Sequence, residues 1–300
     1  MKRALITSGG GAKGAFTVGA LSYMFDNNLA DFDLISGTST GSLIAAFAAA
    51  GDIETLKDVY TNVNNNDIIA TTNLVRQLQQ GKPYLLDSYP LVKLIDEKVT
   101  DTVYQKIVNG NTILCLTAVS LQTGAPTIFA TKRINIPAGY QLKIIQNIQQ
   151  LKNAMLASSS QGGFLPPVTI DGEQMIDGGH RTVVPTAAAI AQNPDEVIVL
   201  SNNPKSIFPG NPNYTSVVDT ILRVISIFIQ GVRENDYKLL DDYVANSINK
   251  KAFYIEPNAD LDEQNPTGLR FDKFLMTQWR SQGEIKAKQV LSAAGVPGGA

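Results

Sequence analysis

The 300-residue sequence contains one histidine, His180, one cysteine, Cys115, and one tryptophan, Trp279. A lone cysteine cannot close an internal disulfide, which fits a reducing compartment. One histidine and one cysteine exclude zinc-finger spacing, HExxH zinc sites and multi-histidine iron or copper sites. Any catalysis must therefore draw on Ser, Asp, Glu, Lys or backbone groups, and neither metal nor cofactor is expected. Charge of one sign is also missing: 25 Lys and Arg against 27 Asp and Glu leave a net −2, so no bulk positive field favours nucleic acid. Long apolar runs are absent. Ala4-Leu5-Ile6 is too short for the apolar core of a signal peptide. Val217 to Ile229 is broken by Asp219 and Arg223 and falls short of the ~20 residues that span a bilayer. The cytoplasm is the expected location.

What remains is 44% hydrophobic and 17% charged, ample material for a packed core. Ala4 to Thr7 and Asp33 to Ser36 read as short buried strands. Each is followed by glycines and a helix-forming run, Gly14 to Met24 and Leu43 to Ala50. Strand–helix–strand–helix within fifty residues predicts a parallel sheet with crossover helices. Residues 52–108 read as a helical insertion that includes Leu91 to Val99, with polar connections at Asn64 to Asn66, Gln77, Gln79 and Gln80. Ile113 to Leu121 and Ala125 to Thr131 form a hairpin through Gln122-Thr123-Gly124. A second hairpin, Val168 to Ile176, turns at Asp171-Gly172. Val197 to Ser201 reads as a strand, Pro185 to Ala191 and Val217 to Ile248 as helices, and Phe271 to Leu291 as a last helix. One domain over 1–294 is expected, with a helical C-terminal part over 215–294 and a frayed tail at 295–300.

Three motifs carry chemistry. Gly9-Gly10-Gly11-Ala12-Lys13-Gly14 lies between a strand and a helix, and this composition produces such a pattern by chance about 0.001 times per chain. Consecutive glycines let backbone N–H groups converge at the positive end of a helix dipole, a nest for a phosphate or an oxyanion. Gly37-Thr38-Ser39-Thr40-Gly41 fits a nucleophile elbow, in which flanking glycines leave room for a serine on a strained turn. The bland alternative is a turn capped by Ser36 or Thr38. Asp177-Gly178-Gly179 ends the second hairpin, and an ionised aspartate at a strand end can take a serine proton without any imidazole.

In this order, GGGAKG, GTSTG and DGG resemble the patatin-like phospholipase family of lipid acyl hydrolases, from about residue 3 to about residue 200 and including Phe164-Leu165-Pro166-Pro167-Val168. The resemblance implies a three-layer α/β/α sandwich with a mainly parallel sheet, related to the α/β-hydrolases. It also implies a Ser–Asp dyad that cleaves acyl esters of a glycerolipid or lysophospholipid without a metal. Ser39 matches the nucleophile and Asp177 its partner. Gly9, Gly10 and Gly11 match the oxyanion-hole glycines, with Lys13 where the family has Arg or Lys. Gly14, Gly37, Gly41, Gly178 and Gly179 complete the motifs. Ser160-Gln161-Gly162-Gly163 departs from the Ala/Pro-containing segment often found there.

Three other readings stand beside this one. Gly9, Gly11 and Gly14 satisfy the dinucleotide fingerprint, but no acid ends the second strand to hold a ribose. An acyltransferase would pair Ser39 with a histidine, and His180 is the sole candidate; a backbone-bonded turn histidine is its plainer role. A patatin-like fold can also serve as a non-catalytic binding module. Cys115 and Trp279 are expected in the core, and any membrane-surface contact should rest on apolar residues around the site.

Overall fold

A computed structural model describes residues 1–70, 79–205, 215–262 and 268–295 of the chain. Among them, nine strands form one mixed sheet. The strands are β1 (Arg3–Thr7), β2 (Leu34–Thr38), β3 (Ile113–Ser120), β4 (Pro126–Ala130), β5 (Gln141–Ile144), β6 (Val168–Ile170), β7 (Glu173–Asp177), β8 (Glu196–Leu200) and β9 (Lys251–Ile255). Their order is β5-β4-β3-β2-β1-β8-β9, with β7 on β3 and β6 on β7. β2, β1, β8 and β9 run parallel to their neighbours, whereas β4 and β7 lie antiparallel to β3.

The strands are apolar on both faces because both are covered. Along β1, Leu5 enters one core and Ala4 and Ile6 the other; along β8, Ile198 and Leu200 oppose Val197 and Val199. The first core packs under helices α1 (Gly14–Asp26), α2 (Thr40–Ala49) and Lys273–Ala293. The second lies under Thr186–Ile190 and the long helix Val217–Ala245. Three layers result, with a mainly parallel sheet in the middle. Gly19 and Gly283 let α1 and the last helix touch: a Cβ on Gly19 would stand 1.8 Å from the Arg280 carbonyl oxygen.

Both expected hairpins form, and Asp171 and Gly172 take the positive φ values (52° and 81°) that a tight turn requires. In the insertion, helices Ile53–Asn62, Asn65–Ile68, Tyr89–Lys98 and Asp101–Asn109 appear. Asn64 is not a plain connection there, because it caps Asn65–Ile68 in a reciprocal capping box with Asp67. Gln77 and the tail from 296 lie outside the described residues. Strand β5 and the helix Ile148–Ser158 emerge where the sequence patterns gave no expectation, and β9 lies inside the 215–294 stretch expected to be helical, where it extends the sheet beside β8. Trp279 is buried, as is Cys115, whose thiol burial pushes up to about 12.

Candidate active site

The glycine loop follows β1 and is held from three sides. Asn202, just beyond β8, donates its backbone N–H to Ser8 Oγ and its side-chain amide to the Ser8 carbonyl, both at 2.9 Å. Gly9 N–H donates to the Val183 carbonyl at 3.0 Å, and Ala12 N–H to the Gly268 carbonyl at 2.8 Å. The loop admits no side chain where it bends. Gly11 has φ 59°, and a Cβ there would lie 2.1 Å from the Gly268 oxygen; Gly10 has φ 155°, and its Cβ would lie 2.7 Å from Asn202 Cβ. Among the described residues, the N–H groups of Gly10 and Gly11 meet no protein acceptor. The adjoining Gly9 lies against the elbow: a Cβ there would be 3.2 Å from Ser39 Cβ.

Ser39 sits between β2 and α2 at φ 56°, ψ −130°, a conformation that an L-residue adopts only under constraint. The constraint is visible. Gly37 and Gly41 approach so closely that a Cβ on Gly37 would lie 2.4 Å from the Gly41 oxygen. Thr7 Oγ1 holds that same oxygen at 2.8 Å. The Ser42 N–H and hydroxyl both donate to the Ser39 carbonyl, at 2.8 and 2.7 Å. Neither Ser36 nor Thr38 caps α2: Thr38 Oγ1 bonds Thr117 Oγ1, and Ser36 Oγ is buried without a partner. The segment is an elbow rather than a capped turn.

Asp177 reaches Ser39 through the register of β3. β2 leaves that strand at the Thr38–Thr117 pair, and β7 arrives antiparallel along the same edge with Asp177 opposite Ala118. The last residue of β7 thus meets the first residue after β2. Gly179 N–H donates to Asp177 Oδ1 at 2.7 Å, and the Ser39 side chain faces the same carboxyl closely enough to favour its charged form. Burial raises this acid to about 6 despite those two neighbours, because a charge is costly where water is excluded. A carboxylate of that basicity, facing a serine side chain, can accept its proton. Gly178 packs against β3, where a Cβ would fall 2.5 Å from the Thr117 oxygen, and Gly14 leaves room for Thr40 Oγ1.

Other expected participants stand apart. Gly9 spends its N–H on Val183 and so offers no oxyanion donor; its place in the motif is explained by the nearness of Ser39. Lys13 is buried and directs its ammonium to Asp260 and Asn203, so it anchors the loop rather than facing the serine. His180 is half-buried, and its Nε2 accepts the Gly162 N–H at 3.2 Å. Burial depresses its pKa. Among the described residues, no cluster of three or more His, Cys, Asp or Glu side chains is placed to hold a metal ion.

Two contributions went unread in the sequence. Ser158, Ser159 and Ser160 end the helix before the Gln161-Gly162-Gly163 turn and brace both halves of the pair. Ser39 N–H donates to Ser158 Oγ at 3.0 Å, Ser159 Oγ donates to the Ser39 carbonyl at 3.3 Å, and Asp177 N–H donates to the Ser160 carbonyl at 2.8 Å. A run of three serines closing an apolar helix was the available signal. The second contribution is Asp236 of the long helix. It receives the N–H groups of Val183 and Val184 at 2.7 and 2.9 Å, and burial raises its carboxyl to about 7. Val183 in turn holds Gly9. Asp236 lies four residues from both Val232 and Leu240, on the buried stripe, so its position could have marked it.

The chain matches the family described as patatin-like phospholipase over residues 5–190. It belongs to that family. The matched span of this patatin-like chain carries the glycine loop, the elbow and Asp177, while the braces Asn202, Asp236 and Gly268 lie beyond it. It is 28% identical over 222 residues to the cUMP-AMP-activated phospholipase of Escherichia coli, covering 68% of this chain and 62% of that protein. A 120-residue stretch is 29% identical to the uncharacterized protein L620 of Acanthamoeba polyphaga mimivirus, covering 37% of this chain and 29% of that one. The chain therefore spans less than two thirds of the length of either relative. The crystal structure of VipD from Legionella pneumophila superimposes with a TM-score of 0.50 at 11% identity, over 97% of this chain and 67% of that one, a likeness of fold.

Proposed function

We propose that this patatin-like chain is a serine acyl hydrolase that cleaves the acyl esters of glycerolipids or lysophospholipids. The observation that carries the reading is the register that sets the buried Asp177, last residue of β7, against Ser39, first residue after β2, next to a glycine loop with two uncommitted N–H groups. Burial makes this carboxylate about as basic as an ordinary imidazole, so a dyad needs no histidine. Ser39 Oγ attacks the ester carbonyl carbon as its proton passes to Asp177. The carbonyl oxygen becomes an oxyanion and takes hydrogen bonds from Gly10 and Gly11. The tetrahedral centre collapses, the carbon–oxygen bond to the glycerol breaks, and Asp177 returns its proton to the departing alkoxide. Water then attacks the acyl-Ser39 ester, with Asp177 as base once more, and a fatty acid leaves.

We place this work in the cytoplasm at a membrane surface, in keeping with a single unpaired cysteine; among the described residues no helix is long and apolar enough to cross a membrane. Mass-spectrometric profiling of membrane lipid extracts, wild type beside Ser39→Ala and Asp177→Asn, tests the reading. Free fatty acid and lysolipid should accumulate with wild type and with neither variant. Undiminished hydrolysis by Ser39→Ala ends it.

A further inference from the structure

The long helix Val217–Ala245 continues past the sheet on the side where the Ser39–Asp177 pair lies. It connects β8 to β9, which run parallel, so it must return from the C-terminal edge of the sheet to the N-terminal edge. Its lower end is fixed at that N-terminal edge. Tyr243 Oη donates to the Pro194 carbonyl, 2.6 Å away, just ahead of β8. Asp236, two turns higher, already stands level with the loop that holds Gly9. At ~1.5 Å per residue, Phe228 and Ile221 extend roughly 12 and 22 Å further in the same direction.

The character of the helix changes along that length. Below, Arg233, Asp236, Tyr237 and Leu240 are buried against the second core. Above, Ile221, Val224, Ile227 and Phe228 are 53%, 42%, 50% and 70% exposed, and their spacing gathers them on one side of the helix. Between Thr220 and Val232 the sequence has one charged residue, the half-buried Arg223, and no carboxylate, in a chain of net charge −2. At the same edge Leu121, directly after β3, is 50% exposed beside Gly124, whose carbonyl is held by the exposed Arg181. An apolar helix face that carries no acid and is flanked by a single arginine is complementary to the upper acyl region and phosphates of a phospholipid surface. For a water-facing helix it is wasteful.

We infer that the projecting turns at 220–230 seat the protein on a phospholipid bilayer, with Ile221, Val224, Ile227 and Phe228 entering the interface and the Ser39–Asp177 pair facing the same membrane. The inference rests on the acyl-hydrolase reading for its choice of partner, and its test reads binding apart from turnover.

Flotation of the full chain with phosphatidylcholine vesicles, with and without phosphatidylglycerol, is carried out in the Ser39→Ala background so that the lipid stays intact. The parent should float, more completely with the anionic lipid. Ile227→Glu with Phe228→Glu should lower partition at least about tenfold, since each buried side chain of this size contributes more than a factor of ten. With Ser39 restored, the same double variant should hydrolyse a soluble nitrophenyl ester at the wild-type rate and lose turnover on vesicles. A Phe228→Trp variant should shift its emission to the blue on vesicle addition. Equal flotation of parent and double variant overturns the inference, as does a parent that never floats. It is equally overturned by a parent dimer that the substitutions convert to monomer without flotation, because a second copy would then cover the face. Flotation that needs residues 227 and 228, in a chain that hydrolyses neither ester, upholds the docking surface and removes the hydrolase reading alone.

Discussion

Ser158 Oγ receives the backbone N–H of Ser39 at 3.0 Å, from a helix that follows the elbow by more than a hundred residues. The elbow is strained, so its shape depends on neighbours that supply bonds the turn cannot make for itself. Ser158→Ala leaves that N–H unpaired in a buried setting, at a cost of about 1–3 kcal/mol. Steady-state kinetics on a soluble ester should show kcat reduced about tenfold with little change in KM. An unaltered kcat would mean that the turn holds its shape alone.

In the proposed mechanism the acid limb of the pH profile belongs to Asp177. The proposed base must be ionised, and its carboxyl is raised to about 6 by burial. Activity should therefore be level above pH 7 and fall roughly tenfold per unit well below pH 6. His180, whose pKa burial lowers, is not needed for this limb. A His180→Ala variant should retain both the activity and the profile, and a limb that vanishes with His180 would move the base from the carboxylate to the imidazole.

The same burial makes Asp177 a burden on the fold. Its folded value of about 6 lies above the ordinary 3.8, so the native state holds the proton longer than the unfolded chain. Wild-type stability from this group is greatest below pH 3.8 and declines as pH rises through 6. Asp177→Asn keeps the shape and an acceptor for Gly179 N–H without the charge. Thermal or urea unfolding at pH 8 should find it more stable by about 3 kcal/mol, and the advantage should shrink toward pH 4. A variant less stable than wild type at pH 8 contradicts this.

Two glycine-to-alanine changes separate loop chemistry from general tolerance. Gly11→Ala drives a Cβ against the Gly268 carbonyl at a positive φ, whereas Gly124, also at positive φ, has open space around it. Loss of one oxyanion donor typically costs 100–1,000-fold, and Gly11→Ala should show a kcat loss of about that order. Gly124→Ala should cost only the strain of its backbone, read as a small drop in melting temperature at unchanged kcat.

The parallel core, both hairpins and the three motifs were legible because each is written locally. Alternating or continuous apolar runs, turn glycines and the Asp171-Gly172 pair specify their own conformation. β5, with all four residues only half-buried, and β9, which begins at Lys251, carry no such signal and exist through pairing with neighbours. The candidate site was legible in Ser39, Asp177 and the glycine loop, which the fold brings together, and opaque in its supports. Nothing local says that Gly9 donates to Val183 or that Lys13 turns toward Asp260, since both partners arrive from distant segments. Asp236 and Ser158 were hidden for the same reason: a polar residue on a helix looks solvated until the fold supplies what it bonds.

β3 contributes no reacting atom, yet Ser39 and Asp177 both count their positions from Thr117 and Ala118. Loops elsewhere between the two residues can lengthen or shorten without disturbing the pair. One residue inserted between Thr117 and Ala118 cannot be absorbed in that way. It would move Asp177 about 3.4 Å along the strand and turn its partner to the opposite face. Among descendants of this sequence, length variation should therefore collect in the loops and avoid the middle of a strand that no activity assay would point to.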